Sequence, residues 1–251
     1  MLVLFFRSTL LALGCLSVFS AQAGIVLNTT RVIYQGKDKE VSLGVHNSGA
    51  GEILLQSWLE PYDPTGVSAQ PQDSDLPFMV TPPLAHLQGD GKQLVRIIHA
   101  GHGMPSERES VLWLNVQEIP RSAAENTLQI AVRQRIKLFF RPGGLSGDPA
   151  LAARQLQWQW LPGGELEVFN PGPFHVSMLR IGAHQGAREL ASQDSRMVAP
   201  GQRWRLPIKS PSPSAPLELR FTSINDFGGQ ETYRATLKGT QAVSASRVDS
   251  P

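Results

Sequence analysis

Apolar and polar side chains alternate with a period of two along much of this chain. Val41, Leu43 and Val45 interleave with Ser42, Gly44 and His46, and the run stops at Asn47-Ser48-Gly49. Successive side chains of an extended strand point to opposite faces, so the pattern predicts half-buried strands. The same reading predicts strands at residues 53–59, 93–99 and 111–116, the last apolar enough for burial on both faces. Residues 127–141 are the longest candidate, and with the segment after Gly24 they make six or seven strands before Pro142.

The run Pro142-Gly143-Gly144-Leu145-Ser146-Gly147-Asp148-Pro149 interrupts this pattern and reads as a hinge. Strand signals resume at residues 155–161, 165–170, 175–181, 217–224 and 233–237, and residues 241–251 read as a solvated tail. Residues 150–155 suit a turn, and no long helix is predicted. Short strands with turn signals every ~8–12 residues indicate β-sandwiches, and the length accommodates two. The expected fold is all-β, with one domain over residues 24–142 and a second over 143–240. Gly (23) and Pro (19) exceed their usual combined share of ~12%, as many turns require.

Residues 1–23 differ. Arg7 precedes an apolar run from Ser8 to Phe19, which ends in Ala21-Gln22-Ala23. A charge, a short apolar stretch and small residues two apart mark a secretory signal peptide, with cleavage expected after Ala23. The apolar residues ahead of Arg7 leave an uncleaved anchor as the other reading. Cys15 is the single cysteine and lies within this segment; Ala12-Leu13-Gly14-Cys15 is a poor lipoprotein signal because alanine stands where leucine is favoured. The mature chain then has no thiol, no disulfide and no Cys-ligated metal. Without Arg7, 22 basic residues face 21 acidic ones, so neither nucleic acid nor stable membrane insertion is implied.

Chemistry-bearing motifs are sparse. His46, His86, His99, His102, His175 and His184 are scattered, and His99-Ala-Gly-His102 reads as an exposed loop pair. Gly89-Asp90-Gly91-Lys92-Gln93 lacks phosphate-loop spacing, and Gly144-Leu145-Ser146-Gly147 is one residue short of a nucleophile elbow. No enzyme and no cofactor is expected.

The informative segment runs from Leu128 to Pro142. Leu128, Ile130 and Val132 share one face, while Arg133, Arg135 and Lys137 crowd the other, as on a charged edge strand. Core packing is the ordinary reading of such an aliphatic row. This segment resembles the corresponding run of PapD-type periplasmic chaperones of the chaperone/usher pathway. The resemblance extends to Thr30-Arg31-Val32-Ile33-Tyr34, Thr81-Pro82-Pro83, Glu107-Arg108-Glu109-Ser110, Asn115-Val116-Gln117-Glu118-Ile119-Pro120 and Ile224-Asn225-Asp226-Phe227-Gly228-Gly229.

The resemblance implies two immunoglobulin-like sandwiches with a cleft between them, and an ATP-independent chaperone of the periplasm. Its partners would be pilus or fimbrial subunits and an outer-membrane usher, with self-association through the donor strand when free. Arg31 and Lys137 match the family's anchor for the subunit's C-terminal carboxylate. Leu128, Ile130 and Val132 match the side chains donated to the subunit groove, and Glu109, Arg141 and Asp226 match an interdomain ion network. Some relatives carry a second-domain disulfide that this chain lacks, and the short link from Pro120 to Leu128, with no disulfide-forming pair beside it, resembles the short-loop branch. The competing reading is a secreted two-domain immunoglobulin-like structural or adhesin module.

Overall fold

The computed structural model describes residues 24–63, 76–121, 127, 129–209, 211–212 and 215–248. Residues 1–23, read from the sequence as a signal peptide and containing Cys15, and Leu128 lie outside them. Before Pro142 the described residues form β1 (Ile25–Leu27), β2 (Arg31–Gln35), β3 (Val41–Asn47), β4 (Ile53–Pro61), β5 (Phe78–Thr81), β6 (Leu84–Leu87), β7 (Lys92–His99), β8 (Ser110–Pro120) and β9 (Arg133–Arg141). They build two sheets, ordered β1-β3-β7-β5 and β2-β9-β8-β4-β6. Alternating side chains from the two sheets fill one core: Leu43 and Val45, Val95 and Ile97, Leu112 and Leu114, and Leu138 and Phe140. Tyr34 closes one end of this core, its hydroxyl accepting the His99 N–H and donating to the Lys39 carbonyl.

The second set comprises β10 (Gln157–Leu161), β11 (Glu165–Phe169), β12 (Val176–Gln185), β13 (Arg188–Val198), β14 (Arg203–Pro207), β15 (Leu217–Ile224), β16 (Gln230–Leu237), β17 (Val243–Ser244) and β18 (Ser246–Arg247). Its sheets run β14-β11-β10-β17 and β13-β12-β15-β16-β18. Trp158, Phe221 and Tyr233 stack through its core, with ring centroids 5.3 and 5.2 Å apart. The only helical structure among the described residues is one turn at Pro149–Leu151 running into Ala152–Gln155. Nearly all-β architecture in two domains is therefore observed.

Four expectations are corrected. The segment read as a solvated tail pairs instead: β17 with β10 and β18 with β16, around a buried Ala245. Two-residue strands are too short to show a period. Strands β5, β6, β13 and β14 were not predicted; in β5 and β6 the apolar Met79 and Leu84 face solvent, which blurs the alternation. Regular pairing along 127–141 begins only at Arg133. Its last ladder pair is Gln117 with Arg133, and one further backbone bond joins the Glu118 N–H to the Val132 carbonyl at 3.0 Å. Finally, β9 is not an edge strand throughout: from Lys137 to Arg141 it lies between β2 and β8.

Candidate functional site

Parallel pairing of β2 with β9 sets Arg31 directly beside Lys137, although 106 positions separate them in sequence. Neighbouring strands lie ~4.8 Å apart, so the two cations occupy one outward face. Val32 and Tyr34, of opposite parity to Arg31, enter the core. Arg31 is buried between the two domains: one terminal nitrogen donates to the Ile224 carbonyl at 3.1 Å, and the guanidinium lies 5.6 Å over the Phe139 ring. Its Nε is buried with no acceptor. Burial pushes the Arg31 guanidinium below its ordinary pKa against the pull of Asp226 and Glu109, with Arg141 adding to the fall. Burial, then Arg31, likewise pushes the Lys137 ammonium down. Two cations forced together in a partly desolvated cleft have the charge and the hydrogen-bond donors that suit an anion.

Beside this pair runs a row of cations on aromatics. Arg133 lies 4.9 Å over Trp58, Arg135 4.4 Å over Trp113, and Lys137 5.7 Å over Trp113 and 6.0 Å over Tyr62. Arg133 is also bound by Glu60 at 2.9 Å and Asn115 at 2.7 Å. The charges expected to decorate an edge thus cover ring faces. Their common face was legible from spacing; the rings beneath them, on β4, β8 and the turn after β4, were not.

Arg141 joins the two sandwiches. Its Nε donates to Glu109 at 2.7 Å, and its terminal nitrogens meet both Asp226 oxygens at 2.6 and 2.7 Å. Sequence reasoning missed His175, whose backbone N–H and Nδ1 both lie 2.9 Å from the other Glu109 oxygen. The Glu109 N–H donates to the Pro173 carbonyl at 2.9 Å, so this residue is tied to the second domain by backbone as well. Nothing local in the Pro173-Phe174-His175 stretch signals such a contact. Glu109, Arg141, Asp226 and Arg31 line one interdomain cavity of about 350 Å³.

Beyond Arg133 the chain leaves the sheet. Ile130 is 69% exposed and Val132 41%, although their parity continues the core row Ile136, Leu138 and Phe140. The Val132 carbonyl accepts the Glu118 N–H at 3.0 Å, and the Gln129 side chain donates to the Arg121 carbonyl. An aliphatic row thus projects past the end of its own core. Leu128, its expected first member, lies outside the described residues.

The histidine reading needs one correction. His99 is not on an exposed loop but ends β7, packed against Phe78 and Phe140 with centroids 4.8 and 4.5 Å away. His46 and His86 contact Asp90 and Glu52. The described residues contain no group of three acidic, histidine or cysteine side chains able to hold a metal ion.

Comparison with known proteins gives the family. Residues 24–146 match the model of the pili and flagellar-assembly chaperone PapD N-terminal domain, and residues 151–235 that of the pili assembly chaperone PapD C-terminal domain. The chain is 35% identical over 226 residues to chaperone protein FimB/FhaD of Bordetella pertussis, covering 87% of this chain and 90% of that protein. The crystal structure of the Pseudomonas aeruginosa CupB2 chaperone superposes with a TM-score of 0.71 at 31% identity, over 84% of this chain and 100% of that one. The Salmonella enterica SafB chaperone, solved in complex with SafA pilin, gives 0.69 at 27% identity, over 85% and 96%. This chain belongs to the PapD family of pilus-assembly chaperones.

Proposed function

We propose that the protein acts in the periplasm as an ATP-independent chaperone that captures pilus or fimbrial subunits and delivers them to an outer-membrane usher. The single observation that carries this reading is the exposed alternation at Ile130 and Val132, in line with core residues but beyond the core. Such a row is built to complete another protein's sheet: main-chain bonds give affinity and alternate side chains give selectivity. Leu128, Ile130 and Val132 would fill a groove in a subunit lacking its own last strand. Arg31 and Lys137 would hold the subunit's terminal carboxylate and so fix the register of the added strand. Glu109, Arg141 and Asp226 would set the angle between the domains and thus the width of the cleft.

No nucleotide is required in this scheme, because the subunit's completed folding supplies the driving force. Capture of SafA pilin by the related SafB chaperone supports subunits as the partner class. The short link after Pro120 favours rod-like pili, and the free protein would shield the exposed row by self-association. The leader at residues 1–23 would direct export and leave Gly24 as the first mature residue.

The test is co-expression with a candidate subunit from the same assembly system, followed by co-purification from periplasm. An intact subunit should be retained, and one lacking its C-terminal residue should be lost. Equal retention of both would refute the anchor, and retention of neither would refute the chaperone assignment for that pair.

A further inference from the structure

Glu118 is the acidic member of an otherwise apolar row. It follows Leu112, Leu114 and Val116 on the core-facing side of β8 and is only 7% exposed. A carboxylate in that setting needs donors, yet its Oε2 is buried without one. What faces it is the entry to β1. A Cβ placed on Gly24 would lie 1.8 Å from Glu118 Oε2 and 2.3 Å from its carboxyl carbon, so any side chain at position 24 would displace the Glu118 carboxyl group. The Gly24 nitrogen, two bonds from that point, is therefore within about 4.3 Å of Oε2. Gly24 is fixed there, because its carbonyl accepts from the Ser48 N–H at 2.9 Å and the Ser48 hydroxyl at 2.8 Å.

We propose that Glu118 is the receptor for the chain's own α-ammonium, formed when the leader is removed after Ala23. The inference rests on the export reading above. In the precursor the Gly24 nitrogen is an amide with one hydrogen in a fixed direction. Hydrolysis by a leader peptidase adds water across the Ala23–Gly24 bond: Ala23 departs with the carboxylate, and Gly24 keeps the amine, which takes up a proton. The product has three rotatable N–H donors and a positive charge beside a carboxylate oxygen that lacks a partner. A charge-assisted hydrogen bond satisfies both groups.

The pair sits at a structural junction. Gln134 donates to the Ile25 carbonyl at 2.6 Å, and Glu118 itself donates its N–H to Val132. Processing would therefore fasten the three-residue strand β1 to the root of the exposed Ile130–Val132 row. The charged groups on surrounding elements have other partners or lie in solvent. Glu52 before β4 is held by Arg121 and His86, Arg133 on β9 by Glu60, and His46 on β3 by Asp90, while Lys92 on β7 is exposed.

The experiment uses the mature protein with labelled glycine, its start at Gly24 established by intact mass, and follows the Gly24 resonance through a pH titration. In the wild type the amine should bind its proton about tenfold more tightly than a free N-terminus, whose pKa is ~7.7–8.0; Glu118→Gln should restore the ordinary value. A raised folded pKa gives stability that is full below the unfolded value and lost as pH rises through the folded one. Wild type should thus lose Tm between about pH 8 and 9 relative to the variant. An ordinary wild-type titration overturns the proposal even if Glu118→Gln fails to fold, as does equal titration in both. A mass that retains the leader overturns it at the export step instead.

Discussion

Arg141 grips Asp226 with both terminal nitrogens, at 2.6 and 2.7 Å, across the boundary between the two sandwiches. The guanidinium is nearly buried while the carboxylate is one-third exposed, and the remaining nitrogen is committed to Glu109. Removing one partner of a buried pair strands the other charge, which costs ~3–5 kcal/mol when both are buried. Partial exposure of Asp226 discounts that. Asp226→Ala should therefore destabilise the protein by about 2–3 kcal/mol and loosen the interdomain angle. Denaturant melts and solution scattering check both, and a variant matching wild type in each would show that the bidentate contact does not set the angle.

The cleft pair should behave in the opposite way. Lys137 is held beside Arg31 at the expense of hydration, and burial lowers its pKa. A group whose folded pKa lies below its unfolded one opposes folding while charged, so stability from this site rises as pH approaches the ordinary lysine range. Lys137→Met keeps an unbranched side chain at this position and removes the charge. The variant's Tm should equal or exceed that of wild type, while subunit capture is lost. A variant that melts lower and still binds would show that Lys137 serves the fold and not the ligand.

His99 gives a separate pH signature. Its Nε2 lies 3.0 Å from the His102 carbonyl and its Nδ1 accepts the Gly101 N–H at 3.3 Å, an arrangement that suits the neutral ring. Burial is the main cause that lowers its pKa, opposed by the His102 carbonyl. The unfolded state then binds the proton more readily, so stability is present above the ordinary histidine value and declines as pH falls through it. Wild type should therefore lose stability between pH 7 and 5. His99→Phe should flatten that slope in melts at the two pH values, and an unchanged slope would place the effect elsewhere.

What the sequence revealed depends on range. Alternation at Val41–Leu43–Val45 identified a strand because the information is local, and the observed core contains Leu43 and Val45. β13 escaped because it flanks its sheet with mostly exposed side chains, burying only Leu190, Ala191 and Val198. The adjacency of Arg31 and Lys137 is a parallel pairing between distant strands, which spacing cannot encode; only resemblance to a family suggested it. The same limit hid the rings under Arg133 and Arg135, and the carboxylate of Glu118 opposite Gly24.

The exposed row offers the sharpest division between readings. Burying an aliphatic side chain yields roughly 1.5–3 kcal/mol, so Ile130 and Val132 together could supply at most about 3–6 kcal/mol to a partner, before the ordering costs of association. Backbone pairing would reward any sequence, so selectivity must come from these side chains. In the free protein Ile130 is mostly in water. Ile130→Asp should therefore leave folding within ~0.5 kcal/mol of wild type, as surface substitutions generally do. In the complex the same carboxylate would be buried without a partner, which is strongly unfavourable, and subunit capture should fail. Melting of the isolated variant and co-purification with the subunit read the two effects separately. Should Ile130→Asp unfold the isolated protein, the row packs against its own chain, and the reading of a self-contained structural module would take its place.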